Sequence, residues 1–158
     1  MKNKKIKRIV LYLMFTFLVS CEYTNGEMGI FSPPLESPPF VITKPVCETY
    51  GRAGYFKYAG IVFNFMNTGA KIIDEITVSF MLYDAATNSS PFIGSNRFAI
   101  TKLDLFLPNE SREIIISLDQ YIYIVPANPY LVDFFYISRI HFTDGSVWED
   151  KYGLYKVE

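Results

Sequence analysis

Three kinds of side chain in this chain of 158 residues could take part in chemistry: one histidine, two cysteines and two adjacent carboxylate pairs. His141 has no nucleophile-elbow sequence near it. Adjacent strand residues point to opposite faces, so neither Asp74-Glu75 nor Glu149-Asp150 forms a converging acid–base couple within a strand. One histidine and two cysteines are too few for a His- or Cys-rich metal site or a disulfide framework. We expect no catalytic residue, no metal, no cofactor and no enzymatic activity.

Cys21 ends a segment that is typical of a secretory signal peptide. Five basic residues lie among the first eight, and the apolar run 9–19 that follows is shorter than the ~20 residues of a transmembrane helix. The run ends in Leu18-Val19-Ser20-Cys21, which resembles the lipobox of bacterial lipoproteins. The resemblance implies that residues 1–20 are removed and that Cys21 is lipidated, so that acyl chains hold the protein on a membrane. The alternative is an uncleaved anchor with a chance cysteine.

Charge is distributed unevenly along the chain. The whole chain has a formal net charge of −1, but from Cys21 onward 10 Lys and Arg stand against 16 Asp and Glu. No basic excess is available to neutralise a phosphate backbone, so nucleic-acid binding is not expected. Glu22, not Asp, follows the cysteine. In lipoproteins of some envelopes an Asp there favours inner-membrane retention, so the resemblance favours the outer membrane or cell surface.

Residues 21–45 differ in composition from the rest of the chain. Five of the nine prolines lie there, at positions 33, 34, 38, 39 and 45. Proline lacks an amide donor and fixes φ, so the stretch favours an extended polyproline II chain. We interpret it as a tether between the membrane and a domain at 46–158, whose start could also lie at Phe40. The alternative is a ligand for an aromatic proline-binding groove.

The sequence pattern of the domain predicts β-strands throughout. Half of the residues are hydrophobic and 17% are aromatic, which excludes a disordered chain. Apolar residues alternate with others and show no helical spacing. We predict an all-β, immunoglobulin-like antiparallel β-sandwich of about seven strands. The apolar residues that recur at every second position are Ile61, Phe63, Phe65, Ile76, Val78, Phe80, Leu82, Ile114, Ile116 and Leu118.

Asp144-Gly145 predicts a closing β-hairpin with two possible registers. A two-residue turn would set Trp148 opposite His141, whereas a three-residue loop with Gly145 at positive φ sets Trp148 opposite Ile140. The second register places Ile140, Phe142 and Trp148 on one face and leaves His141 outside. We therefore expect the second register, with Trp148 buried.

Phe80-Met81-Leu82-Tyr83-Asp84 resembles the motif of the FxLYD family, small immunoglobulin-like domains of bacterial lipoproteins and secreted proteins. Phe63 to Gly69 resembles that family's strand with an Asn-x-Gly turn, and Leu107-Pro108-Asn109-Glu110 resembles its later turn, with Asn109 where Gly is usual. A further departure is Ala85 to Asn88, where a glycine-containing turn is typical. The resemblance implies a β-sandwich and carries no enzymatic activity or cofactor.

Aromatic residues are concentrated between positions 121 and 136. A sandwich core takes only one face of a strand, so some of these rings need another cover or a partner. Tyrosine combines an apolar ring with a hydroxyl group, which suits protein and sugar surfaces. The candidate binding patch is Tyr121, Tyr123, Tyr130 and Phe135. The alternative is internal capping of the outer face by a loop or by the tether.

Two classes of function remain. The first is a non-enzymatic binding module of the bacterial cell envelope, anchored in the membrane by lipid, with a protein or glycan partner. The second is a structural or spacing subunit of a larger envelope assembly. Cys47, the other thiol, is expected to be a buried, unpaired hydrophobic residue.

Overall fold

The computed structural model describes residues 37–157. This part of the chain contains eight strands, joined by turns and loops, and no helix. The predicted signal peptide, Cys21 and the predicted tether up to residue 36 lie outside the described residues. No helix within 37–157 is long and apolar enough to cross a membrane. The strands are β1 (Phe40–Ile42), β2 (Val46–Thr49), β3 (Ala59–Asn67), β4 (Ile73–Tyr83), β5 (Arg97–Phe106), β6 (Ser111–Ser117), β7 (Leu131–Phe142) and β8 (Val147–Glu149).

Two antiparallel sheets pack face to face. In the first sheet β3 is central, with β6 on one side and β1 and β2 in succession along the other. The second sheet has the order β5-β4-β7-β8. The predicted all-β antiparallel sandwich is confirmed, with eight strands where about seven were expected. β1 lies inside the stretch assigned to the tether, so the strands of the domain begin at Phe40 and not at Val46.

Alternation along the strands determines the core, as predicted. The apolar faces of β3, β4 and β6 meet between the sheets, and each of the ten alternating apolar residues named above is at most 5% exposed. Aromatic contacts join the sheets: ring centroids are 4.8 Å apart for Phe63 and Phe135 and 4.9 Å apart for Phe65 and Phe106. Such tilted and edge-on pairs stabilise a core beyond the area they bury.

The closing hairpin adopts the three-residue register. The Phe142 amide donates to the Ser146 carbonyl at 3.0 Å, Gly145 has φ of 82°, and Ile140 pairs with Trp148. The prediction that Trp148 is buried is wrong in degree, because the side chain is only half-buried. β8 is a short edge strand, and the indole packs at the margin of the core against Phe40, 5.2 Å away.

Two β-bulges in β7 reverse its side-chain alternation twice. Between its pairings with Met81 and Ser79 of β4, β7 uses one residue more than β4, near Phe134, whose φ is 47°. A second extra residue lies near Ser138. Each extra residue exchanges the faces of all residues that follow. Phe135 therefore faces the core and is 1% exposed, and its assignment to an exposed patch is wrong.

Asn67 is a fully buried polar residue at the end of β3, and all its side-chain hydrogen-bonding groups are engaged. Its Nδ2 donates to the carbonyls of Lys71 at 2.8 Å and Phe106 at 3.0 Å. Its Oδ1 accepts the Gly69 amide at 3.0 Å. Its backbone bonds to Asn109 and Glu110. The side chain of Asn67 thus joins the β3–β4 turn to the end of β5, and its backbone bonds to the β5–β6 turn.

Replacement of Asn67 by Asp keeps the shape and removes both donors. The carboxylate would face two carbonyl oxygens in a buried site, and a buried unsatisfied group costs about 1–3 kcal/mol, more if charged. We expect Asn67→Asp to lose about 3 kcal/mol or more of the 5–15 kcal/mol that is typical of a domain. Urea unfolding followed by circular dichroism measures the loss. Asn64→Asp, at an exposed position of the same strand, is the control, and equal midpoints for the two variants would contradict the role of Asn67.

Candidate binding surface

Two long loops emerge at the end of the sandwich opposite Asn67. The β4–β5 loop (84–96) and the β6–β7 loop (118–130) flank the Tyr83–Leu131 pair, whereas the Ile73–Phe142 pair lies at the other end of the same strands. We call these two loops together the loop end. Phe40 pairs with Asn67, so the described chain begins at the end opposite the loop end.

The loop end differs from the rest of the domain in charge. Residues 85–96 and 120–130 contain no Asp, Glu, Lys, Arg or His, although charged residues make up 20% of the chain. The surface there is contributed instead by large apolar side chains, among them Ile93 at 105% exposed, Tyr123 at 79% and Ile124 at 78%. Exposed apolar groups concentrated at one place are typical of interaction sites.

Asp84, the last residue of the FxLYD-like motif, holds the first loop. Its Oδ1 accepts the amides of Ala86 and Thr87 at 2.9 Å and the Thr87 hydroxyl at 3.0 Å. These hydrogen bonds, foremost those from Thr87, lower the pKa of the Asp84 carboxyl. Phe80 and Leu82 of the same motif lie in the core.

Asp119 ties the second loop to residues 57 and 58. Its carboxylate accepts the amides of Lys57 at 2.7 Å and Tyr58 at 2.9 Å. Desolvation, the largest single cause, would raise the pKa of Asp119, but the hydrogen bonds that the carboxylate accepts, foremost from Tyr58 and Lys57, together lower it. The buried Ile122 side chain fixes the loop from within, because it packs into the core while its neighbours stay exposed.

Rings from both loops meet over the core. Phe92 lies 5.2 Å from Phe98, 6.4 Å from Tyr121 and 5.7 Å from Tyr130 between ring centroids. Phe98 in turn stacks on Phe80 of the core at 5.3 Å. Beside these rings is an open groove of about 590 Å³. This Phe92 groove is lined by Pro91, Phe92, Ile93, Ser95, Arg97, Phe98, Ala99 and Tyr121.

The structure brings together only part of the candidate patch. Tyr121 is 39% exposed and Tyr130 half-buried, and both contact Phe92. Tyr123 is exposed on the same loop, whereas Phe135 is in the core. Sequence reasoning missed Phe92, Ile93 and Ile124. The absence of charge from both loops was the signal that could have found them.

The outer face of β7 is capped by the chain itself, which was the alternative to an aromatic patch there. Phe134 and Tyr136 contact each other at 5.4 Å, and Tyr136 is 2% exposed. A Cβ added to Gly153 would come within 2.9 Å of the Phe134 ring. The buried Asp150 carboxylate accepts the amides of Tyr152 and Tyr155 and so folds residues 150–155 over this face.

The residues with chemical potential lie apart from the loop end. His141 Nδ1 contacts Asp74 Oδ1 at 2.7 Å near the opposite end of the second sheet. Cys47 is buried and unpaired, as expected, and desolvation raises the pKa of its thiol. Among residues 37–157 no three His, Cys, Asp or Glu side chains are grouped so as to hold a metal ion.

Two asparagines take backbone positions where the FxLYD resemblance led us to expect glycine. Asn88 has φ of 52° and Asn109 has φ of 63°. Asparagine tolerates this left-handed region better than other non-glycine residues. Both turns are therefore possible without glycine.

No protein-family model matches the chain, and no curated protein matches its sequence. Among solved structures, the fold is similar to that of a hypothetical protein from Peptoclostridium difficile 630, with a TM-score of 0.50. The match covers 73% of this chain and 88% of that chain. The two sequences are 13% identical, so the likeness concerns the fold alone.

Acid is expected to loosen the first loop. Because the folded pKa of Asp84 is below its usual value of 3.8, the stability it contributes is present above that value and is lost as the pH falls through the folded pKa. The amide chemical shifts of Ala86 and Thr87 should therefore titrate below about pH 4. Asp84→Asn keeps an oxygen acceptor and does not titrate, so it should remove this dependence. An unchanged titration in Asp84→Asn would contradict the assignment.

Proposed function

We propose that this protein is a lipid-anchored protein of the bacterial cell envelope whose β-sandwich is a non-enzymatic binding module. The observation that carries the proposal is the loop end, an uncharged, apolar and aromatic surface opposite the end at which the described chain begins. A chain tethered to a membrane through its N-terminus would thus carry this surface on the far side of the domain. The lipobox-like sequence before Cys21 and the FxLYD-like motif support the same reading.

The chemistry of the loop end suits an uncharged partner surface. Tyr121 and Tyr123 combine ring area with a hydroxyl group at low conformational cost. The charged side chains nearest to the loop tips are Asp84 and Asp119 at the loop bases and Arg97 beside the Phe92 groove, and residues 85–96 and 120–130 themselves offer no charge to a ligand. A neutral protein surface or a neutral glycan meets both conditions. The second candidate, a spacing subunit of an envelope assembly, is supported by the proline-rich stretch before the domain.

Lipidation is tested by growing producing cells with labelled fatty acid. The wild-type protein should carry label, and Cys21→Ala should carry none and accumulate as uncleaved precursor. Cys47→Ala is the control, because it removes the other thiol and should leave the label unchanged. Equal label in Cys21→Ala and the wild type would refute the anchor.

Binding at the loop end is tested by recovery of partners from solubilised envelopes with Tyr123→Ser. Tyr123 is 79% exposed, so its loss should reduce recovery of a bound component several-fold without changing the unfolding midpoint. Tyr152→Ser is the matched control, since Tyr152 is 77% exposed and lies outside the loop end. Equal recovery with both variants would contradict the site. A stoichiometric protein that both variants retain would favour the spacing subunit instead.

A further inference from the structure

β5 is an open edge of the second sheet, and part of its backbone is unpaired. The Leu82 amide donates to the Asn96 carbonyl, so these two residues form a hydrogen-bonded pair of the β4–β5 ladder. In an antiparallel ladder such pairs alternate with pairs whose amides and carbonyls point away. By the observed register the residues of β5 whose amides and carbonyls point away from β4 are Arg97, Ala99, Thr101 and Leu103.

The free part of this edge has defined limits. At one end, the Arg97 amide donates to Ser95 Oγ at 3.1 Å. At the other, the Leu105 carbonyl accepts from Arg112 at 2.8 Å and the Leu105 amide donates to Asp104 Oδ1 at 2.9 Å. Within residues 37–157, the backbone groups of Ala99, Thr101 and Leu103 that face outward have no partner. In the described part of the chain, the residues of β5 whose outward amide and carbonyl are both unpaired are thus Ala99, Thr101 and Leu103, and they are centred on Thr101.

The apolar features of the edge lie on either side of the same centre. The Phe92 groove borders Arg97 and Ala99 at the start of β5. At its end, Leu103 is 78% and Leu105 is 56% exposed. A two-fold axis through Thr101 would set Leu103 opposite Ala99 of a second copy, whereas Leu105 lies beyond the irregularity that follows Leu103 in the β4–β5 ladder. Each copy would thus bring its exposed Leu103 to Ala99 at the border of the other copy's Phe92 groove.

We propose that the β5 edge pairs antiparallel with β5 of a second copy of this chain, centred on Thr101. The three outward residues of each copy would form about six backbone hydrogen bonds, two for each hydrogen-bonded pair. In this register Lys102 stands opposite Ile100, so no like charges face each other. Such an interface is isologous, because one patch of the chain is complementary to itself. It involves β5 and the Phe92 groove and does not require Tyr123 or any ligand of the loop end.

Cysteine cross-linking tests both the partner and the register. Thr101→Cys should form a disulfide-linked dimer under mild oxidation, with the purified protein and in intact envelopes, because directly opposed residues have Cα atoms about 5.5 Å apart. Position 103 is also exposed, at 78%, but Leu103→Cys would lie four residues out of register with the same residue of the second copy, so it should cross-link several-fold less. The combined Ala99→Cys and Leu103→Cys variant should restore the dimer. Circular dichroism of each variant establishes that it is folded.

Three results would overturn the proposal. Equal cross-linking of the Thr101 and Leu103 variants would indicate random collision, and no dimer with either Thr101→Cys or the combined variant would exclude pairing. A cross-linked product that contains a different protein would assign the edge to another partner. A double variant with Tyr123→Ser and Thr101→Cys would separate this interface from the proposed binding function if it lost the ligand of the loop end but still cross-linked.

Discussion

The buried side-chain amide of Asn67 is the interaction on which the order of one end of the sandwich depends. It satisfies carbonyls of residues 71 and 106 and accepts the amide of Gly69, and no buried side-chain polar atom among residues 37–157 is left without a partner. A buried network of this kind stabilises only when every member is satisfied. Because the side chain joins the β3–β4 turn to the end of β5, and the backbone of Asn67 bonds to the β5–β6 turn, this residue holds the two sheets together at the end where β1 also begins.

At the loop end, the chain is held by carboxylates and by packing instead of a buried amide. Its loops are attached at their bases by the carboxylates of Asp84 and Asp119, which bond to backbone amides and leave the loop tips free of charge. Between those bases, Phe92 and Ile122 fix the loops by packing. An end so constructed can present apolar side chains to solvent and still keep a defined shape. This division between a fixed end and a presenting end is what favours a binding role over a purely structural one.

Much of the fold could be predicted because burial follows alternation along regular strands. The inward faces of β3 and β4 and the Trp148–Ile140 register are of this kind. Alternation failed at Phe135 because each bulge in β7 inserts a residue that no local pattern announces. The ring contacts between Phe92 and Tyr121 join residues 29 positions apart in two loops. Such a contact depends on the whole sandwich being assembled, so spacing in the sequence could not predict it.

Hydrogen exchange of the protein, with and without solubilised envelope components, tests most directly whether the loop end is the presenting end. If the loop end binds an envelope component, residues 85–96 and 120–130 should gain protection. The turns around Asn67 and Asn109 should not change, because their amides are already held in internal hydrogen bonds. Added protection at the Asn67 end, with the two uncharged loops exchanging as before, would contradict the binding role of the loop end.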